Sequence, residues 1–250
     1  MTKVITRREG TLWYVAINRP NVKNAIDKET AQLLYHAFSQ FEADTELSVA
    51  ILHGIGDTFC SGADLKSIAY ATSNAPELSE KGNGPLGPTR MNLKKPVIAA
   101  IEGYAVAGGL ELALWCDLRV ISETTVFGVF CRRFGVPLVD GGTIRLPRLI
   151  GQSRAMDMVL TGRPVDAAEA YSIGLANRLV PSGTSLEHAT QLAQKLSLLP
   201  QFCMRSDRLS LIEQWDLNLD EALQNEAVRG IDVVDSGETV TGAAKFFDSQ

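Results

Sequence analysis

Residues 103–117, which read GYAVAGGLELALWCD, leave this chain fewer choices than any other stretch. Two adjacent glycines, Gly108 and Gly109, open a helix-length apolar run that carries one carboxylate, Glu111. An ionisable side chain is seldom buried without a partner or a task, so Glu111 is a candidate for chemistry. The residues alone leave two readings open. The glycines either let a helix approach its neighbour closely or present free amides to an anion at a helix start. Glu111 either moves a proton or is a buried carboxylate paired with an arginine such as Arg119, Arg132 or Arg133.

The flanks of this stretch set the fold class. Residues 96–101 form a continuous apolar strand and 118–121 another, while 48–54 make an earlier buried strand ending in Gly54. Strand, helix and strand in alternation predict βαβ units with parallel pairing and right-handed crossovers, hence an α/β fold. Residues 4–8 and 12–17 flank Glu9-Gly10 and predict a hairpin. Asp27 caps a predicted helix over 28–41, where Ala31, Leu34, Phe38 and Phe41 recur at helical spacing. Residues 72–88 are rich in Gly, Pro, Ser and Asn and predict a long surface loop that is mobile or shapes a pocket. Beyond Pro137 the pattern predicts helices over 142–150, 153–160, 167–171, 186–199, 219–232 and 238–247, with a strand over 177–180. The last helices are amphipathic and lack a large core of their own, which suggests packing on a neighbour or another subunit.

A second turn resembles the first in what it offers. Ser61-Gly62-Ala63-Asp64 precedes a predicted helix, with Ser61 or Asp64 available as its cap. If the fold joins it to Ala107-Gly108-Gly109, amides from both turns can clamp one carbonyl oxygen and stabilise an enolate. Glu111 follows Gly108 at i+3 spacing and shares its helix face, within reach of a ligand held at those amides.

Composition narrows the alternatives. A net charge of -5 argues against a basic nucleic-acid face, so a phosphate-bearing ligand needs local Lys or Arg. The four cysteines, Cys60, Cys116, Cys131 and Cys203, form no CxxC pair and fit reduced thiols better than a disulfide framework. The three histidines, His36, His53 and His188, have no ligand spacing, so no metal site is expected. No uncharged apolar run is long enough to span a bilayer, and the chain reads as a cytoplasmic protein without a membrane partner.

Several motifs together resemble one family. TFCSGADLK at 58–66, KPVIAAIEGY at 95–104 running into Glu111-Leu112-Ala113 and Cys116-Asp117, Phe127-Gly128, Gly141-Gly142-Thr143, RLPRLIG at 145–151, Leu160-Thr161-Gly162 and Gly174-Leu175 are similar to the crotonase, or enoyl-CoA hydratase/isomerase, superfamily. The resemblance implies a spiral of ββα repeats over 1–195 and a C-terminal helical region over 196–250 that serves oligomerisation and pocket closure. It implies homotrimers or hexamers that bind acyl-CoA thioesters, with coenzyme A entering as part of the substrate and no separate cofactor. It also implies an oxyanion hole from the amides of Ala63 and Gly108, Glu111 as the first of two acid–base glutamates, and a coenzyme A path along Lys23, Ala25, Ser61, Ala63, Asp64, Leu65 and Lys66.

The chain departs from the family at one place. Counting from Phe127-Gly128 forward and from Gly141-Gly142-Thr143 back puts Cys131 where the second glutamate belongs. A thiol of ordinary pKa, about 8.5, is a poor acid–base substitute. Asp140, directly before Gly141-Gly142, is either the second acid–base group or the N-cap of the following helix. Cys131 as a nucleophile beside Arg132 and Arg133 is a further reading. The expected activity is hydration of a 2-enoyl-CoA. Isomerisation, thioester hydrolysis or decarboxylation through Glu111 and Asp140, and acyl-CoA binding without turnover, are the alternatives.

Overall fold

The computed structural model describes residues 2–248. The N-terminal hairpin forms as the pattern demands, β1 (Val4–Glu9) against β2 (Leu12–Ile17), with Gly10 in the left-handed turn at φ 57°. α1 (Lys28–Ala43) starts at Asp27, whose carboxylate accepts the Thr30 N–H and thereby satisfies one of the orphan amides of the first turn. Its buried face, Ala31, Leu34, Ala37, Phe38 and Phe41, is the periodic apolar stripe of the sequence. β3 (Val49–Gly54) then pairs in parallel with β2.

α2 (Leu65–Ala69) is capped by Asp64, not Ser61, through the amides of Lys66 and Ser67. β4 (Val97–Ile101), buried at every residue, lies beside β3, and its continuous Val-Ile-Ala-Ala-Ile run is that of a strand covered on both faces. Next come β5 (Tyr104–Val106), α3 (Gly108–Trp115), β6 (Leu118–Ser122) and β7 (Val126–Gly128). α4 (Gly142–Ile150), α5 (Gln152–Thr161), β8 (Val165–Asp166), α6 (Ala167–Ser172), β9 (Arg178–Val180) and α7 (Ser185–Ser197) follow. The larger sheet has the order β1-β2-β3-β4-β6-β9, parallel after the hairpin, and β5-β7-β8 form a smaller one. Both sheets contribute to the core, and β5 of the smaller sheet leads directly into α3.

Chain contacts divide the molecule into Met1–Ala193 and Gln194–Gln250. The second unit holds α8 (Gln201–Glu213), α9 (Leu219–Asp235) and α10 (Glu238–Asp248). α8 has no counterpart among the sequence expectations, because its apolar residues make too weak a stripe to read as a periodic face; within its unit Arg229 of α9 grips Glu213 and Glu238 of α10 accepts the Cys203 amide. Val233 is the one apolar side chain of this unit that is buried among the described residues, while Leu211, Trp215, Val240 and Phe247 stand exposed. No described helix is long and apolar enough to cross a membrane.

The segment over 72–88 also departs from expectation at its C-terminal end. Leu86 is fully buried, Gly87 turns at φ 93° against the Ala31 carbonyl, and Thr89 is buried just beyond. The stretch reads as loop because it lacks periodicity, yet its end is anchored by single buried side chains.

Candidate active site

The two glycine turns meet. A Cβ built on Gly62 would lie 2.7 Å from the Gly108 nitrogen, and one on Gly108 would lie 3.5 Å from the Ala63 nitrogen. No side chain fits between them, and Gly62 also takes φ 93°, which disfavours any other residue. Parallel bridges from Ile26 to Ala63 and from Cys60 to Ala105 bring the segments together. The Ile26 bridge uses the Gly62 carbonyl and the Asp64 amide and leaves the Ala63 N–H out of the ladder. Gly108 opens α3, where first-turn amides have no partner within the helix. The residue before it, Ala107, is held at φ 54°, an uncommon conformation that swings α3 into place.

Both turns line one cavity of about 490 Å³, as do Glu111, Cys131 and Asp140. Its remaining walls are mostly apolar and include Leu78, Leu86, Phe130, Phe134 and Val136. A volume of that order suits a small organic ligand.

Glu111 is buried, at 2% exposure, and finds its partners in backbone rather than in arginine. Its Oε1 accepts the Asp140 N–H at 2.9 Å and the Gly142 N–H at 2.8 Å. A Cβ on Gly142 would stand 2.9 Å from Glu111 Cγ, so this approach again requires glycine. The arginines offered as partners by the sequence are occupied elsewhere. Arg119 donates to the carbonyls of Leu175 and Cys116, Arg132 to Val159 and Arg133 to Gly162. Burial, together with the charge of Asp140, pushes the Glu111 carboxyl up to about 7 against the lowering effect of the amides.

Asp140 does not cap α4, which begins at Gly141 without a side-chain cap. Its Oδ1 accepts the Leu86 amide at 3.1 Å and the Thr89 hydroxyl. Burial raises this carboxyl, and the Thr89 and Leu86 bonds with the charges of Arg90 and Arg145 oppose the rise. Two carboxyl groups in one cavity titrate as a coupled pair, and the charge of Asp140 adds to burial in raising Glu111.

Cys131 sits in the 3₁₀ turn Phe130–Phe134 on the cavity wall. Burial and the neighbouring Glu111 charge raise its thiol above the ordinary range, against a smaller effect of Arg132, so it stays protonated at neutral pH. That environment is the opposite of one that activates a nucleophile. Cys60 is pushed up to about 12 by burial alone in the main.

The expected coenzyme A residues divide. Ser61, Ala63 and Leu65 line the cavity. Lys23 is exposed at φ 51° with its ammonium 5.2 Å from the Tyr104 ring centre, and Lys66 is exposed on α2. Ala25 is buried and gives its carbonyl to Arg19, whose guanidinium also pairs with Asp64 at 3.0 Å. Asp64 is therefore committed to Arg19 and to the cap of α2. Sequence reasoning missed Thr89, Arg145 and the amide of Gly142 as site groups; for Gly142 the signal was the paired glycine after an acidic residue.

A family model described as enoyl-CoA hydratase/isomerase matches residues 7–247. The chain belongs to the enoyl-CoA hydratase/isomerase family. The enoyl-CoA hydratase EchA19 of Mycobacterium tuberculosis is 33% identical over 98% of this chain and 94% of that protein. A carnitinyl-CoA dehydratase of Salmonella typhi is 41% identical over 76% of this chain and 72% of that protein. The crystal structure of the enoyl-CoA hydratase EchA1 from Mycobacterium marinum superposes with a TM-score of 0.92 at 32% identity, covering 99% of this chain and 96% of that one. The fold expected from the sequence motifs is thus the fold of this family.

Proposed function

We propose that this enzyme hydrates a 2-enoyl-CoA thioester through an enolate. The observation that carries the reading is the contact of the two glycine turns at the cavity that also holds Glu111. A thioester carbonyl seated between the amides of Ala63 and Gly108 gains negative charge as the β-carbon is attacked, and two fixed N–H dipoles in a water-poor cleft stabilise that charge. Asp140 takes a proton from the water that adds to the β-carbon. Glu111, its carboxyl raised to about 7 chiefly by burial, delivers a proton to the α-carbon. The same groups run the reverse elimination. Ser61, Ala63 and Leu65 border the thioester arm of coenzyme A, and Lys23 and Lys66 meet its phosphates as exposed point charges.

The substitution at Cys131 favours a second reading. A protonated, buried thiol stands where the family's other glutamate is expected, so the pair becomes Glu111 with Asp140, and that pair also suits transfer of a proton along an enolate, as in double-bond isomerisation. Crotonyl-CoA and a 3-enoyl-CoA distinguish the readings. Hydration of crotonyl-CoA that disappears in Glu111→Gln and falls in Asp140→Asn supports hydratase activity. Turnover of the 3-enoyl-CoA without hydration makes the enzyme an isomerase, and tight binding with no turnover of either makes it an acyl-CoA binding protein.

We assign residues 196–250 to oligomerisation in a cytoplasmic homotrimer or hexamer, on the ground that Leu211, Trp215, Val240 and Phe247 are too many large apolar side chains to leave in water. A monomer mass in solution would overturn that assignment.

A further inference from the structure

Thr89 belongs to none of the motifs that mark the family in this chain, yet its buried hydroxyl donates to Asp140 Oδ1, the same oxygen that accepts the Leu86 amide at 3.1 Å. Both bonds fall on Oδ1, and Oδ2 lies outside this set. The backbone of Thr89 is fixed as well. Arg145 of α4 donates through one nitrogen to the Thr89 carbonyl at 2.7 Å and through the other to the Asp140 carbonyl at 2.8 Å. Gly84 closes over the bond on the far side, where a Cβ would overlap the Thr89 hydroxyl and stand 2.7 Å from Asp140 Oδ1. Two stretches of chain, 84–89 and 140–145, thus meet at one carboxylate oxygen.

We propose that Thr89 is a positioning residue for Asp140: its hydroxyl, braced by Gly84 and by the Arg145 clamp, fixes Oδ1 so that the carboxylate is held ionised with Oδ2 free for proton transfer in the cavity. The proposal rests on Asp140 serving as the second acid–base group for its catalytic consequence, but not for the bond itself. A hydroxyl donating to a carboxylate favours the charged form, and the effect is larger where water is excluded. The other groups that face Asp140 are Glu111 from α3, Arg90 from the turn Pro88–Arg90, Arg145 from α4 and Cys60 from the segment before Gly62. Glu111 and Cys60, while neutral, leave the balance to the two arginines and the Thr89 bond. Removing the hydroxyl moves the first ionisation of the pair upward.

Thr89→Val keeps the shape and removes the donor, whereas Thr89→Ser keeps the donor. The pH profile of kcat/KM with crotonyl-CoA should lose roughly tenfold below its acid limb in Thr89→Val and approach the wild-type value at alkaline pH, a displacement of about one pH unit. Thr89→Ser should restore the profile. The melting temperature read against pH gives the second measurement, made on protein without substrate. The Thr89→Val deficit should grow as pH rises, because the hydroxyl bond is stronger to the charged Asp140 than to the protonated one. An equal loss of activity at every pH without rescue by serine, or a melting deficit that does not change with pH, overturns the inference. If the wild type fails to hydrate crotonyl-CoA while the melting deficit varies with pH as stated, the hydratase reading falls and the assignment of Thr89 stands.

Discussion

The two sides of the cavity are built on different principles. On one side, Gly62, Ala63, Gly108 and Gly142 bring backbone against backbone and against Glu111, with separations of 2.7 and 2.9 Å to any added Cβ. On the other, Leu78, Phe130, Phe134 and Val136 contribute side chains, and Leu78 and Phe134 are themselves 65% and 68% exposed. At its three glycines the first side tolerates not even a methyl group, because its geometry is the chain itself. The second can be trimmed or enlarged without moving the backbone. If the acyl chain lies against the second side, chemistry and acyl selection are physically separable, and substitutions on the two sides should fail in different ways.

The largest effect belongs to Glu111→Gln. Loss of the proton-transferring group should lower kcat by about 10³, within the range for general acid–base catalysis, with KM little changed. The same variant tests the buried carboxyl through stability. Burial raises its pKa from 4.5 to about 7, so the folded state binds the proton more tightly than the unfolded state does. The native state then loses stability as pH rises from the unfolded value through 7, and at pH 8 the full penalty applies, on the order of 3 kcal/mol. Gln accepts the same two amides without a charge. Chemical denaturation should find Glu111→Gln more stable than wild type at pH 8 and nearly equal at pH 4, and a variant less stable at pH 8 would show that the amides outweigh burial.

Gly62→Ala ranks next. Its Cβ would meet the Gly108 nitrogen at 2.7 Å, the Ala107 Cβ at 3.1 Å and the Val106 carbonyl oxygen at 3.2 Å, at a φ of 93°. Relief by spreading the turns costs about 1–3 kcal/mol and separates the two amides, for which a loss of about 10² in kcat is expected. A well-folded Gly62→Ala variant with wild-type kcat would show that these amides do not act as a pair.

This division also explains what could be read before the fold was known. The glycine side was legible because its requirements are local: an absent Cβ at Gly62 and Gly108, and a charge on the apolar run around Glu111, are visible as letters. The hairpin, α1 and the strands over 48–54 and 96–101 were legible for the same reason, since periodicity and caps act within one turn or one strand. The partners of Glu111 and Asp140 were not legible. The Thr89 bond joins residues 51 apart in the chain, and the Gly142 amide reaches Glu111 across 31, separations that only tertiary contact specifies. Asp140 in particular looks like a helix cap by its neighbours, and turns instead to a buried threonine in a stretch without periodicity. α8 escaped because its apolar residues form no strong stripe, so its helical state depends on the helices around it.

On the apolar side, Phe134→Ala should leave the fold almost untouched, since the ring is 68% exposed. If the ring meets the acyl chain, its loss removes on the order of 1 kcal/mol of binding for a long acyl group and little for crotonyl. The expected reading is a KM about fivefold higher for a long-chain enoyl-CoA, with kcat retained and crotonyl-CoA unaffected. A fall in kcat with both substrates would break the separation between the two sides, because it would tie an exposed ring to the geometry of the amides.

Cys131→Ala should have the smallest effect and is the sharpest test of where the two sides divide. Cys131, which the sequence motifs place where a second glutamate is expected, lies in the turn that carries Phe130 and Phe134, so by sequence it is expected on the chemical side and by structure it belongs to the apolar one. Its thiol is raised by burial and by the charge of Glu111, and a protonated thiol at neutral pH neither accepts nor delivers the reacting proton at a useful rate. Removing one buried sulfur should cost about 1 kcal/mol of stability and change kcat/KM by no more than about twofold, with the pH profile in place. A loss of tenfold or more, or disappearance of the alkaline limb, would move Cys131 to the chemical side and make the thiol, rather than Asp140, the partner of Glu111.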